Sequence, residues 1–259
     1  MALSKPARSI TIDWLLDGDP AIRWQVMRDL TRTPVSGWRT EQEKVAVEGW
    51  GARLLGHQDG EARWTPKLYG RKWISTTYSM MLLRAFGLPR SDPRAIRSCH
   101  LFVEEGLGIR KDRDACIAAM VLALLYWFDV DDRLREPVLE HVLALQLADG
   151  GWNCDEDSRH GSFHTTCTAL EAIRQCAVTS AHRRVEVERA EALGQEFFLQ
   201  HRLFRSHRTG EVVDQRYLRF SFPPRWHYDV LRGLDYFWSA GALRDHRLAD
   251  AIEVLAGKR

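Results

Sequence analysis

Four segments of the chain carry side chains that could do chemistry. Asp112 to Cys116 combines two carboxylates with a thiol, and His164 follows a polar stretch that begins at Cys154. Carboxylate, thiol and imidazole groups exchange protons or bind metal ions in enzymes. Asp129 to Asp132 adds three acidic residues. The basic-aromatic loop over 202–224, with Arg225 directly after it, adds arginines that suit a phosphate or a carboxylate.

An ordinary structural role is open to each of these segments. For the basic-aromatic loop it is internal salt bridges between the arginines and Glu211 or Asp214. Asp114 suits the N-cap of a helix over the apolar run that follows it, and Cys116 suits a small core position. Asp129 to Asp132 precedes Arg133 and suits a solvated turn that caps the next helix. The polar stretch from Cys154 to His160 lacks the spacing of a zinc motif, so a solvated loop is the simpler interpretation.

A repeated pattern gives the strongest indication of the fold. Asp149-Gly150-Gly151-Trp152 is followed by a polar loop, then by Phe163-His164-Thr165-Thr166-Cys167 and an apolar run. About 89 residues upstream, Gln58-Asp59-Gly60 with Trp64 leads to Ser75-Thr76-Thr77-Tyr78 and another apolar run. Such recurrence predicts helical repeats in which the turn tryptophan is buried between helices.

At these residues the chain resembles the α/α-toroid superfamily of terpenoid cyclases and protein-prenyltransferase β subunits. Repeats of that superfamily carry a Gln-x-x-Asp-Gly-Gly-Trp/Phe turn between an outer and an inner helix. The resemblance implies an all-α fold, an α/α toroid with a central cavity. We expect a single domain over residues 1–259, with about five helical hairpins in a ring that either closes or stays incomplete.

The resemblance also implies a zinc site. Prenyltransferase β subunits hold zinc with an Asp-x-Cys sequence that opens one inner helix and a histidine that opens the next. Asp114, Cys116 and His164 stand at those positions, and Lys111 matches a lysine that touches the lipid diphosphate. The arginine and the tyrosine that flank this motif in the family are Gly108 and Ile117 here, which weakens diphosphate binding more than metal binding.

Class II terpene cyclases of the same superfamily use an Asp-x-Asp-Asp motif as an acid. Asp129 to Asp132 reproduces those letters, but it follows an apolar run. It therefore lies at the C-terminal end of one inner helix, on the opposite rim from His164, which begins the next inner helix. The acid would instead stand at Asp112 to Ala115, which lacks the final aspartate. The catalytic candidates are Asp112, Asp114 and His164, and the substrate-binding candidates are Trp73, Tyr78, Lys111, Arg225, Trp226 and Tyr228.

Helical periodicity dominates the chain, apart from a short strand-like piece at 211–213. We predict helices over 10–17, 21–32, 39–56, 73–86, 92–105, 114–128, 134–147, 163–177, 182–201, 225–240 and 244–256. A net charge of +2 gives no strong attraction to nucleic acid, and no apolar run is long enough to span a membrane. The N-terminus has no secretory signal pattern, which predicts a cytoplasmic protein.

The function that this sequence predicts is action on an isoprenoid-like or other apolar small molecule at the N-terminal ends of the inner helices. Lys111 and Arg225 would hold an anionic group of that molecule. The alternative is a non-catalytic scaffold that binds a small molecule or a peptide, since repeat folds are often reused in that way.

Overall fold

The computed structural model describes residues 10–109, 115–179 and 183–258, and these residues form an all-α protein. The predicted fold class is confirmed, whereas the ring arrangement remains a prediction. Over these ranges no strand forms, and an isolated antiparallel bridge from Arg205 to Val212 takes the place of the strand-like piece at 211–213. No helix in the same ranges is long and apolar enough to cross a membrane.

The chain divides into two compact units, residues 1–98 and 99–259. The single domain therefore remains a prediction. The first unit contains α1 (Ile10–Leu16), α2 (Pro20–Asp29), α3 (Val35–Glu43), α4 (Gly49–Leu55) and α5 (Thr76–Phe86), and α6 (Pro93–Glu104) crosses the boundary. The second contains α7 (Ala115–Trp127), α8 (Asp132–Ala144), α9 (Phe163–Thr179), α10 (Arg184–Gln200), α11 (Val230–Ser239) and α12 (Ala249–Ala256).

The single helix predicted over 39–56 is wrong. The chain instead forms α3, a 3-10 turn at Lys44–Ala46, and α4. Gly49, the first residue of α4, has a φ of 65°, which the interior of a continuous α-helix does not allow. A Cβ on Gly51 would lie 2.3 Å from the carbonyl oxygen of Val45, so the backbone folds back on itself at this point.

The predicted starts of α5 and α11 are also wrong, since these helices begin at Thr76 and Val230 rather than at 73 and 225. Trp73 has a φ of 83° and Arg225 a φ of 56°, and neither value is compatible with a right-handed helix. Asp229 is the N-cap of α11. Trp73 and Trp226 consequently lie in the segments before the two helices.

The turn between α8 and α9 forms as the sequence predicts. Trp152 is fully buried, and its indole N–H donates to the carbonyl of Val142 at 2.8 Å. The backbone N–H of Trp152 donates to the hydroxyl of Thr166 at 2.9 Å. The amide of Gln146 donates to the carbonyl of Ala190 at 2.9 Å, so the turn is joined to α8, α9 and α10.

The upstream copy of the turn repeats each of these bonds. The indole N–H of Trp64 donates to the carbonyl of Leu54 at 2.8 Å, and its backbone N–H donates to the hydroxyl of Thr76 at 3.2 Å. The amide of Gln58 donates to the carbonyl of Arg94 at 3.2 Å. The equivalence of these three bonds confirms that the two segments are copies of one structural element.

Helices α7 and α9 run parallel in the second unit. Near their first turns, the sulfur of Cys154 accepts hydrogen bonds from the backbone of Cys116 and the hydroxyl of Thr165. Near their last turns, Tyr126 and Cys176 are hydrogen-bonded to each other. The N-termini of both helices therefore lie at the same end of the unit.

The acidic segment at 129–132 lies beyond the C-terminal end of α7. The side chain of Asp131 accepts a hydrogen bond from the backbone N–H of Arg133 at 2.8 Å and caps α8, as the sequence predicts. A helix of 13 residues at a rise of about 1.5 Å per residue is about 20 Å long. This length places the acidic segment far from the start of α9, where His164 lies.

The two copies of the turn predict different responses to alanine. Gly150 has a φ of 86°, and a Cβ there would lie 2.3 Å from the carbonyl oxygen of Leu193, whereas a Cβ on Gly60 would meet open space. We expect Gly150→Ala to lower the free energy of unfolding by at least about 2 kcal/mol. The control variant Gly60→Ala, at another glycine of the upstream turn, should change it by less than about 0.5 kcal/mol. Chemical denaturation checks both values, and equal effects would contradict the assigned turn geometry.

Candidate functional site

The candidate site is built at the first turn of α9. Ser162 precedes the helix, and its hydroxyl accepts a hydrogen bond from the backbone N–H of Thr165 at 3.4 Å. The loop before it closes back on the turn, because the Gly161 N–H donates to the carboxylate of Asp149 at 2.7 Å. A Cβ on Gly161 would lie 2.8 Å from the Cα of Gly151, so this close approach requires glycine.

Phe163 anchors the first turn of α9 in a buried aromatic group. Its ring lies 5.2–5.6 Å, centroid to centroid, from five other rings. These belong to Phe197, Phe198, His201, Tyr217 and Tyr228. The surrounding rings come from α10 and from the segment before α11, so Phe163 joins three parts of the second unit.

His164 lies beside a second group of rings, which it meets edge-on. Its imidazole is 5.0 Å from the ring of Trp226, 5.5 Å from Tyr217 and 5.9 Å from His227. Trp226 and His227 stack on each other at 3.9 Å.

The protonation state of His164 is set by its contacts. The backbone N–H of Tyr228 donates to His164 Nδ1 at 2.8 Å, so the neutral ring carries its proton on Nε2. Burial lowers the pKa of His164 to about 4, and the positive charges of His227 and Arg232 act in the same direction. At neutral pH, His164 is therefore an uncharged hydrogen-bond donor through Nε2.

A partly buried ion pair supports the segment that contacts His164. The guanidinium of Arg232 donates two hydrogen bonds to the carboxylate of Glu171, at 2.7 and 2.9 Å, and joins α11 to α9. It also donates to the carbonyl of His227 at 2.8 Å and to the hydroxyl of Thr168 at 3.1 Å. Burial lowers the pKa of Arg232, but the neighbouring acidic groups, Glu171 first among them, together outweigh burial and raise that pKa.

Asp229 fixes the end of the same segment. One carboxylate oxygen accepts the backbone N–H of Arg232 at 2.9 Å, and the other accepts the N–H of Ser221 at 3.2 Å. The carboxylate is buried and already holds two backbone donors. Asp229 therefore positions the segment that contacts His164.

Cys154 lies between the first turns of α7 and α9. The backbone N–H of Cys116 donates to its sulfur at 3.2 Å, and the hydroxyl of Thr165 is 3.5 Å from it. Both cysteines are partly buried. Cys116, predicted as a metal ligand, thus has a second thiol as its neighbour.

The structure brings some of the predicted site residues together. Trp226 and Tyr228 both contact the first turn of α9, and Arg225 directly precedes them. The hydroxyl of Tyr228 donates to the carbonyl of Leu203 at 2.6 Å in the buried interior. Its side chain therefore packs within the unit, and its backbone is the part that contacts His164.

Other predicted site residues lie elsewhere. Lys111, Asp112 and Asp114 fall outside the described residues, so their roles remain predictions. Trp73 and Tyr78 belong to the unit 1–98, where their rings are 5.2 Å apart. Tyr78 is buried, whereas 38% of Trp73 is exposed.

Two of the three predicted zinc ligands, Cys116 and His164, lie among the described residues. A zinc-bound histidine uses one nitrogen lone pair and donates its other N–H to an acceptor. Nδ1 of His164 faces the Tyr228 N–H donor and Nε2 keeps the proton, so the histidine as arranged does not fit a zinc ligand. Over 10–109, 115–179 and 183–258, no three His, Cys, Asp or Glu side chains converge to hold a metal ion. Because Asp114 lies outside those ranges, the zinc site remains a prediction.

Sequence reasoning missed several residues of the site. Glu171 and Arg232 lie on different helices, 61 positions apart, and nothing in either local sequence indicates that they pair. His227 lies next to Trp226 and was not singled out. A signal did exist for Tyr217, since it belongs to a long aromatic loop of a kind that is often functional.

Known proteins provide no identification. No protein-family model matches the chain, and neither a curated protein nor a solved structure matches it.

The lowered pKa of His164 predicts a pH dependence of stability. The folded pKa is about 4 and the ordinary value is 6.5, so between these values the unfolded chain binds a proton that the folded chain does not. Stability is therefore lost as the pH falls through this window. Discounted for the partial exposure of the ring, the contribution is about 1–2 kcal/mol.

His164→Asn keeps an acceptor near the Tyr228 N–H and removes the titration. We expect urea denaturation from neutral pH to about pH 4.5 to show a shallower loss of stability for this variant than for the wild type. His160→Asn, at a histidine whose side chain is 71% exposed, should show the wild-type dependence of the free energy of unfolding on pH. Identical slopes for all three proteins would show that His164 is not a buried neutral histidine.

Proposed function

We propose that the chain binds an isoprenoid-like or other apolar small molecule at the N-terminal ends of α7 and α9. The observation that carries this proposal is the neutral His164 held beside aromatic rings where two helix N-termini lie together. The resemblance of the repeated turn to terpenoid cyclases and prenyltransferase β subunits supports the same class of ligand.

The aromatic residues suit the apolar part of such a ligand. Trp226 and Tyr217 border His164 from two sides, and the faces of such rings contact hydrocarbon and double bonds favourably. They would also stabilise positive charge that develops on a polyene.

The helix ends suit a polar or anionic head group. The first backbone N–H groups of α7 and α9 carry partial positive charge, and His164 adds a neutral donor at the same end. Lys111 and Arg225 are the cationic side chains proposed to hold this group. A lipid diphosphate or an allylic alcohol has the required combination of an apolar tail and an oxygen-bearing head.

We further propose that the protein acts on this ligand as an enzyme. Because the pKa of His164 is lowered to about 4, it donates a hydrogen bond at neutral pH and is too weakly basic to hold a transferable proton. Asp112 and Asp114 are the proposed acidic groups. With His164 arranged as described, Asp114, Cys116 and His164 are better suited to a metal-free polar site than to a zinc site.

A non-catalytic binding scaffold is the second candidate. One observation favours it: the charged groups beside the site, Arg232, Glu171 and Asp229, are bonded to protein partners. These groups hold the backbone of the site in place. Any catalytic group would then be a residue outside the described ranges.

Calorimetric titration with farnesol and with farnesyl diphosphate tests the binding proposal. We expect Trp226→Ala to raise the Kd for both probes by about tenfold or more, since a buried aromatic contact contributes about 1.5–3 kcal/mol. Trp238→Ala, at a tryptophan that is 57% exposed on α11, is the matched control and should bind like the wild type. The proposal fails if the wild type binds neither probe, or if both variants bind equally well.

Mass spectrometry of the same mixtures separates the two candidates. Release of diphosphate or conversion of the farnesyl chain by the wild type identifies an enzyme. Binding without any conversion identifies the scaffold.

A further inference from the structure

Two histidines of the second unit face each other through their ring nitrogens. His201 is the C-cap of α10, and His207 lies in the turn that follows. His207 Nδ1 is 2.9 Å from His201 Nε2, and the two ring planes are nearly perpendicular, at 86°. The candidate site uses the ring of His201 only as a packing partner of Phe163. The nitrogens of both histidines are therefore without a role so far.

The ring of His201 is held as in a metal-binding histidine. Its Nδ1 lies 2.7 Å from the carbonyl oxygen of Phe197, which can only accept, so Nδ1 carries the proton and Nε2 the lone pair. Metal-bound histidines typically donate one N–H to such an acceptor and bind the ion through the other nitrogen. The rings of Phe163 and Phe197 pack against it at 5.2 and 4.6 Å. Burial lowers the pKa of His201, so the ring is neutral at neutral pH.

His207 supplies a second nitrogen at the separation that a metal ion requires. Because a metal–nitrogen bond is about 2.0–2.1 Å long, two nitrogens at right angles around one ion are about 2.9 Å apart. The two facing nitrogens have this separation. The side chain of His207 is exposed, so its proton can move from Nδ1 to Nε2 through solvent. A rotation of this exposed ring then directs both lone pairs to one ion.

The charges near the pair are balanced. Arg205 donates to the carboxylate of Asp250 at 2.8 Å, and Arg202 lies 3.6 Å from the same carboxylate. Arg208 is exposed, so solvent screens its charge. The carboxylate of Asp149 acts in the opposite sense to these arginines, since it favours positive charge on the inner ring of the pair. The surroundings therefore allow a cation to bind.

We propose that His201 Nε2 and His207 Nδ1 together chelate a divalent transition-metal ion, with water in its remaining positions. The right-angled arrangement favours the tetragonal or square-planar sites of Ni²⁺ and Cu²⁺. A tetrahedral zinc site would place the two nitrogens about 3.3–3.4 Å apart. The bound ion joins the C-terminal end of α10 to the turn over 206–210.

This site is distinct from the zinc site predicted at Asp114, Cys116 and His164. It shares no residue with that set, and its two protein ligands lie within seven positions of one another in the chain. The inference rests on the geometry of the histidine pair and does not depend on ligand binding at the candidate site.

Calorimetric titration of the full-length protein, without a histidine tag, with Ni²⁺ at neutral pH tests the proposal. We expect His201→Gln and His207→Gln each to raise the Kd for the ion by at least about tenfold, since loss of an outer partner alone costs about 10–100-fold. His246→Gln, at a histidine that is 93% exposed and 3.7 Å from the carboxylate of Asp245, is the matched control and should bind like the wild type. Circular dichroism establishes that the variants are folded. The proposal fails if the wild type binds no Ni²⁺, or if His207→Gln binds it equally well.

Nitrogen NMR of the histidine-labelled wild type locates the ion without any variant. Six-coordinate Ni²⁺ is paramagnetic, so substoichiometric amounts should broaden the ring resonances of His201 and His207 before that of His246. Broadening of His164 first, or loss of Ni²⁺ binding in Cys116→Ser, would place the ion at the other predicted site and overturn the proposal.

Discussion

The buried tryptophan of the turn between α8 and α9 is the constraint on which the candidate site depends. Its indole N–H donates a hydrogen bond to the carbonyl of Val142 on α8, and its backbone N–H donates one to the hydroxyl of Thr166 on α9. Thr166 is in the first turn of its helix, so this bond fixes where α9 begins. The directions of Phe163 and His164 follow from it, and Cys154, two residues after Trp152, is brought to the same helix end.

The segment before α11 completes the site because a buried charge holds it in place. The guanidinium of Arg232 donates hydrogen bonds to the carboxylate of Glu171, the hydroxyl of Thr168 and the carbonyl of His227. Removal of Glu171 would leave the buried guanidinium of Arg232 without its counter-charge, which destabilises the fold. The backbone at 227–228 is therefore held firmly over His164, and the histidine stays neutral with its proton on Nε2. Fixed donors of this kind bind a ligand without a further cost of ordering them.

The sequence predicted the helical class, the two turns and the start of α9 because these depend on local patterns. Trp64 and Trp152 each follow a glutamine by six residues, and buried residues fill α7 almost completely. The starts of α5 and α11 were wrong because positive φ values at Trp73 and Arg225 depend on tertiary packing, which an apolar run does not reveal. The contacts of Cys116 with Cys154, and of Arg232 with Glu171, join segments far apart in the chain, so no local pattern could predict them.

The central claim is that His164 is a neutral Nε2–H donor at a ligand-binding site. Nitrogen NMR of the full-length protein with labelled histidine, recorded with and without saturating farnesyl diphosphate, tests it most directly. The account predicts the Nε2–H tautomer for His164 at neutral pH and a shift of its Nε2 resonance when the probe is added. An Nδ1–H tautomer, a protonated ring at neutral pH, or a resonance unchanged by bound probe would contradict the account.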